Sequence, residues 1–140
     1  MITGFSIDRI EGKVESVEAL GKQRFPRLNI NLDSVTQEGQ GKIKVKYTFA
    51  ADYYDSDAKD AANIGHMKLG GLVELNEGKD GAASVMKRWN EKKQLPVDIA
   101  EEIINGLNFR CSATGTLVAY ALGLIPPLVI STTKIQESQA

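Results

Sequence analysis

Between residues 27 and 75 the chain alternates apolar and polar side chains in runs too short and too regular for helices. The sharpest run sets Ile43, Val45, Tyr47 and Phe49 between Lys42, Lys44, Lys46 and Thr48. A period of two puts the apolar groups on one face of a strand and the charges on the other. Leu28, Ile30 and Leu32 alternate in the same way with Asn29, Asn31 and Asp33 after Pro26, which costs no ladder bond at a strand's first residue. Gly39-Gln40-Gly41 separates these runs as a turn. Upstream, Phe5 to Ile10 predicts an opening strand that continues through Val14 and Val17 after a slip near Glu11-Gly12, and Glu18 to Phe25 is a connection. The third strand runs on towards Tyr54, Asp55 to Asn63 is a long hairpin loop, and Ile64 to Leu75 is a fourth strand. Gly70-Gly71 interrupts it, marking a bulge or a close backbone approach.

After Gly78 the period becomes helical. Asp80 is the expected N-cap, with Ala82, Val85, Met86 and Trp89 on one face and Lys87, Arg88, Lys92 and Lys93 towards the C-terminal end. Leu95-Pro96 ends this helix and opens a longer one. In it Ile99, Ile103, Leu107, Cys111, Leu117, Val118 and Ala121 follow a helical period, while Glu101, Glu102, Asn105 and Asn108 face away. Gly123 suits the helix end, and Pro126-Pro127 forbids a restart. Leu128-Val129-Ile130 is a short extended tail, and residues 136–140 fray. Strands over about 3–76, helices over about 80–123 and a tail over 124–140 make one domain of 1–140. The class is α+β: a four-stranded antiparallel sheet with a short and a long helix packed on one face.

Composition narrows the chemistry. With 140 residues, 42% hydrophobic and 25% charged, the chain is long enough for a core without disulfides or metal. Seventeen basic against eighteen acidic residues give a net charge of −1, so there is no general basic field for nucleic acid or an anionic membrane. The uncharged run from Cys111 to Thr133 is long enough to span a bilayer, but its glycines, hydroxyls and Pro126-Pro127 favour a buried helix followed by an extended segment. The first nine residues mix acidic and basic groups and lack the apolar stretch of a secretory signal, and the single cysteine suits a reducing compartment, so a cytoplasmic protein is expected.

No catalytic pattern emerges. Asp52, Asp55, Asp57 and Asp60 invite comparison with a calcium loop, but Lys59 occupies the third ligand position, Asp60 the glycine position and His66 the final glutamate position. A solvated hairpin tip is the simpler reading. Gly39-Gln40-Gly41-Lys42 precedes a strand, whereas phosphate-cradling loops open helices. Cys111 and His66, each the only one of its kind, carry no nucleophile motif, so a buried thiol and a structural or exposed histidine are expected. No cofactor is called for. Among the aromatics, Phe25 closes a polar connection before a proline and Trp89 is flanked by cations, so both suit a partly exposed, peptide-gripping surface as well as a core.

The order of these segments resembles a known family. Phe5-Ser6-Ile7-Asp8-Arg9-Ile10 is similar to the opening strand of the SecB-type export chaperones. Phe25-Pro26-Arg27-Leu28-Asn29-Ile30-Asn31-Leu32-Asp33 resembles their second strand, reached through a crossover loop ending in an aromatic and a proline. The lysine-alternating third strand, the Gly70-Gly71 region, Leu95-Pro96, Ala100 to Asn105, and Leu122 to Leu128 follow in the order of the SecB-like branch. The resemblance implies an antiparallel sheet backed by a long helix, assembly as a dimer or tetramer, and an apolar groove for unfolded polypeptides. It implies Phe25, Leu28, Ile30 and Leu32 on the sheet side of that groove, and Leu117, Tyr120, Leu124 and Leu128 on the helix side. The bacterial members present an acidic surface to the export motor SecA. Here Lys42, Lys44 and Lys46 stand on the third strand, which makes a SecA partnership doubtful and leaves room for a toxin–antitoxin setting. Three readings follow: an ATP-independent holdase, a non-catalytic adaptor whose apolar surface is consumed by self-assembly, and, last, an enzyme built on the acidic loop and His66.

Overall fold

A computed structural model describes residues 1–128 and residue 135. The elements are β1 (Ile2–Val14), a 3-10 turn (Glu18–Lys22), β2 (Arg27–Glu38), β3 (Lys42–Tyr54), β4 (Asn63–Asn76), α1 (Gly78–Lys92) and α2 (Val97–Leu122). The sheet is antiparallel in the order β1-β4-β3-β2. Among the described residues, sequence-adjacent β1 and β2 are therefore its two free edges, and the connection between them must cross the sheet's end.

The period of two in β3 does what it predicts. Ile43, Val45, Tyr47, Phe49, Ala51 and Tyr53 are all buried on one face, opposite Leu75, Val73, Gly71, Leu69, Met67 and Gly65 of β4. Both helices cover that face, α1 over β2 and β3 and α2 over β1 and β4. The core forms two clusters. The larger joins the sheet centre to Ala82, Val85, Ile99, Ile103, Leu107 and Cys111; the smaller joins Ala51, Tyr53, Ile64 and Met67 to Ala119 and Leu124. The outer face carries Lys44, Lys46, Lys68 and Glu74.

The Gly70-Gly71 pair marks a close approach, and the bulge lies on its neighbour. Register in β1 slips between Ile7 and Arg9, opposite these glycines, and not at the expected Glu11-Gly12. Asp8 is the extra residue of this slip, and beside it a β-carbon on Gly71 would strike the Ser6 carbonyl and the Tyr47 hydroxyl. Those two groups are bonded to each other, Tyr47 Oη donating to Ser6 O at 2.9 Å. On the outer face the Arg9 guanidinium lies across Gly70 and donates to Thr48 Oγ1 at 3.4 Å, and Thr48 donates to Asp33 at 2.7 Å. Asp33 is itself the extra residue of a slip in β2. Each free edge is thus kinked by an aspartate, a device that discourages uncontrolled edge pairing.

The helix ends follow the sequence with one adjustment. α1 starts at Gly78 with Glu77 in the capping position, so Asp80 sits in the first turn, where its carboxylate still opposes the helix dipole favourably. Lys93 closes α1 in the left-handed conformation (φ 52°), its N–H donating to Trp89 O. Pro96 precedes α2, and Gly123 (φ 75°) ends it with Leu124 N donating to Ala119 O at 2.9 Å, a Schellman-type closure. Asn108, expected on the wet face, is buried. Val129 and Ile130 of the expected tail and the fraying residues 136–140 lie outside the described residues.

Candidate functional site

The connection from β1 to β2 crosses the end of the sheet on the helix side. Ala19 and Leu20 pack on the smaller core cluster, which contains Tyr53, Ile64 and Leu124. Glu15 N donates to Ile64 O at one end, and Arg24 N donates to Tyr54 O at the other, both at about the length of a ladder bond (2.8 and 2.9 Å). Between these ties Val17 stands exposed, and Phe25 is 55% exposed directly before the buried Pro26. An aromatic held in water by a tied-down backbone is an arrangement that suits recognition better than core filling.

The segment after α2 forms a second wall beside the connection, bonded to it through Gln23. Leu124 is buried, Pro127 presses against the notch left by Gly115 of α2, with Cγ 2.7 Å from where a β-carbon would stand, and Leu128 is exposed. Tyr53 Oη donates to Ile125 O at 2.5 Å, which seats this segment on the sheet. Burial pushes the Tyr53 phenol above its ordinary range, so it stays a neutral donor.

α2 carries a second apolar feature on its outer side. Phe109, Leu117 and Tyr120 are 78%, 74% and 88% exposed. With Ala113 they recur at helical spacing and form one stripe. Beside it, Phe5 lies against Gly106 and under the Arg110 guanidinium at 4.7 Å, in a groove of about 710 Å³ lined also by Ile7, Tyr47, Phe109 and Ala113. Ile10 of the free edge strand β1 adds another exposed side chain.

The eight residues implied by the resemblance thus fall into three settings. Leu28, Ile30 and Leu32 are half-buried on the helix-facing side of edge strand β2, against the core clusters. Leu28 and Leu124 meet around the smaller cluster, while Phe25 and Leu128 are exposed on the connection and the segment after α2. Leu117 and Tyr120 stand on the outer stripe of α2 and belong to neither cluster. The helical period that placed Leu117 with the core residues of α2 is corrected accordingly. Phe109 escaped the sequence reading, although its spacing to Leu117 and Tyr120 signalled a second stripe. Gln23, whose amide bonds the segment after α2, gave no signal.

The acidic loop is an ordinary hairpin tip. Asp55 accepts from Ala62 N, Ser56 accepts from Ala58 N, and Arg27 donates to Ala58 O. Among the described residues no group of three or more His, Cys, Asp or Glu side chains is placed to hold a metal ion. His66 faces outward opposite Asp52 and Lys13, whereas Cys111 is buried on the helix side of the sheet beside Tyr47, so the two cannot pair. Burial raises the Cys111 thiol to about 11, far from a reactive thiolate. Among the described residues no helix is long and apolar enough to cross a membrane.

A four-stranded antiparallel sheet with this crossover and a long covering helix is the fold of the SecB-like chaperones. The chain superposes on the solved structure of a SecB-like chaperone from Mycobacterium tuberculosis, which holds a ChAD peptide from an antitoxin. The TM-score is 0.62 and the identity 12%, over 100% of this chain and 92% of the other. No family model matches the chain, and no curated protein sequence does.

Proposed function

We propose that this protein is an ATP-independent holdase that binds unfolded polypeptides in the cytoplasm as a homo-oligomer. The observation that carries the reading is the tied-down connection that leaves Phe25 and Val17 in water, bonded through Gln23 to an anchored segment that exposes Leu128. A client's apolar side chains would lie along these two walls, with Leu28, Ile30 and Leu32 as the floor and Leu124 as backing. Burial there stabilises the complex by roughly 25 cal/mol per Å² of apolar surface, and no nucleotide is needed to drive it. The fold neighbour's antitoxin peptide supports a polypeptide ligand and makes a toxin–antitoxin role as natural as one in export.

The stripe of Phe109, Leu117 and Tyr120 is assigned to self-association. A straight, rigid helix face next to a free edge strand suits a symmetric contact between copies, while the irregular connection suits varied clients. An adaptor reading shares this assembly but requires that the Phe25 surface also be sealed by it.

Light scattering from an aggregating, chemically unfolded client, without ATP, separates the readings. Wild type should suppress aggregation, and Phe25→Asp, still folded and oligomeric, should lose most of that effect. A folded, oligomeric wild type with no protective effect would end the holdase reading.

A further inference from the structure

Gln23 is half-buried in the connection, two residues before Phe25. Its Nε2 donates to Gly123 O at 2.9 Å and to Leu20 O at 2.9 Å, and its Oε1 accepts from Ile125 N at 2.7 Å. One side-chain amide thus pairs with the backbone on both sides of Leu124, as a neighbouring strand would. These backbone groups lie just beyond the last turn of α2, where the chain has left the helix and needs other partners.

We infer that Gln23 is a positioning residue, latching the connection to the segment after α2 and thereby fixing the relative placement of the two walls along which a client is held. The inference rests on the holdase reading and deepens it. On one side of the latch, Arg24 N is bonded to Tyr54 O, so residues 23 and 24 tie the backbone leading into Phe25 to the end of β3 and to the segment after α2. On the other, Tyr53 Oη holds Ile125 O, so the segment reached by Gln23 is fixed to β3 as well. Leu20 lies 3.5 Å from where a β-carbon on Gly123 would stand, which brings the apolar side of the connection to the same point. Only an amide both donates and accepts in this way. Alanine does neither, and a carboxylate at position 23 would keep the acceptor for Ile125 N–H while setting a negative charge against two carbonyl oxygens. With the walls untied, each must be ordered anew when a client binds, and that ordering weakens affinity without removing any apolar contact.

The test uses the full-length oligomer and fluorescently labelled, reduced and carboxymethylated α-lactalbumin as a permanently unfolded client. Gln23→Ala is compared with wild type and with Val85→Ala, a core truncation in α1 away from both walls. Gln23→Ala should weaken client binding about tenfold, the effect expected of losing the bonds to Gly123 O and Ile125 N, and should speed amide exchange at Ile125. Val85→Ala should lower the unfolding midpoint at least as much and leave client affinity within about twofold. Unchanged client affinity in Gln23→Ala, or an equal loss in Val85→Ala, would overturn the positioning role. Fast Ile125 exchange in the wild type would show that the latch does not form. A wild type that binds no client would instead remove the holdase reading, and the inference with it.

Discussion

Leu117→Ala separates what the stripe on α2 does for assembly from what it does for the fold. The side chain is 74% exposed and belongs to neither core cluster, so its truncation removes almost nothing from the protomer. Surface substitutions of this kind stay within about 0.5 kcal/mol. Complete burial of a leucine is worth roughly 1.5–3 kcal/mol, and the part still available to a partner, less the methyl that alanine keeps, is about 1–1.5 kcal/mol. In a two-fold contact each substitution counts twice, giving about 2–3 kcal/mol per pair of protomers and a dissociation constant raised about 30- to 150-fold. Leu107, fully buried on the inner face of the same helix, provides the contrast, because its truncation should cost the protomer roughly 2–5 kcal/mol. Sedimentation velocity over a concentration series, with urea unfolding of the dissociated protein, reads both quantities. A Leu117→Ala protein that associates like wild type would refute the assignment of this stripe to self-association. One that unfolds as easily as Leu107→Ala would refute the reading of its exposure.

Two further outcomes follow from the sheet and the core. Gly71→Ala should destabilise by roughly 3 kcal/mol or more, since the new methyl meets the fixed Ser6 carbonyl, whereas Gly70→Ala meets only the mobile end of Arg9 and should cost roughly 1 kcal/mol; urea midpoints of the two variants check the contrast. Stability should fall above about pH 9, because burial raises the Cys111 thiol to about 11 and lifts Tyr47 and Tyr53 also, so the unfolded chain loses these protons first. The thiol's share grows from about pH 9 to pH 11 to roughly 2–3 kcal/mol, and urea midpoints across that range should decline less steeply in Cys111→Ala.

Much of the fold was legible because one strand has the plainest periodicity. β3 reads as a half-buried strand from Lys42 onwards, and its two neighbours, the turn at Gly39 and the end of α2 at Gly123 follow from local chemistry. The strand order did not follow, since it depends on a connection that is anchored to the core through only Ala19 and Leu20. The slip in β1 was expected beside Gly12 because a glycine inside a strand often marks one. That glycine answers instead to Leu122 and Val118 of α2, which pack where its β-carbon would stand, while the actual kink falls on Asp8. Residues of the candidate site divide similarly. Phe25 stood out by its polar surroundings, and the stripe was half seen through Leu117 and Tyr120. A helix with apolar residues on two sides cannot say which side meets the sheet, and Gln23 gains its meaning only when Gly123 and Ile125 arrive beside it.

The most direct measurement is calorimetric titration of the wild-type protein with an unfolded, carboxymethylated client in the absence of nucleotide, repeated at several temperatures. The account requires saturable binding with a negative heat-capacity change, the mark of apolar surface leaving water, and a marked loss of both in Phe25→Asp. Absence of binding by the folded protein, or binding with no heat-capacity change, would contradict it.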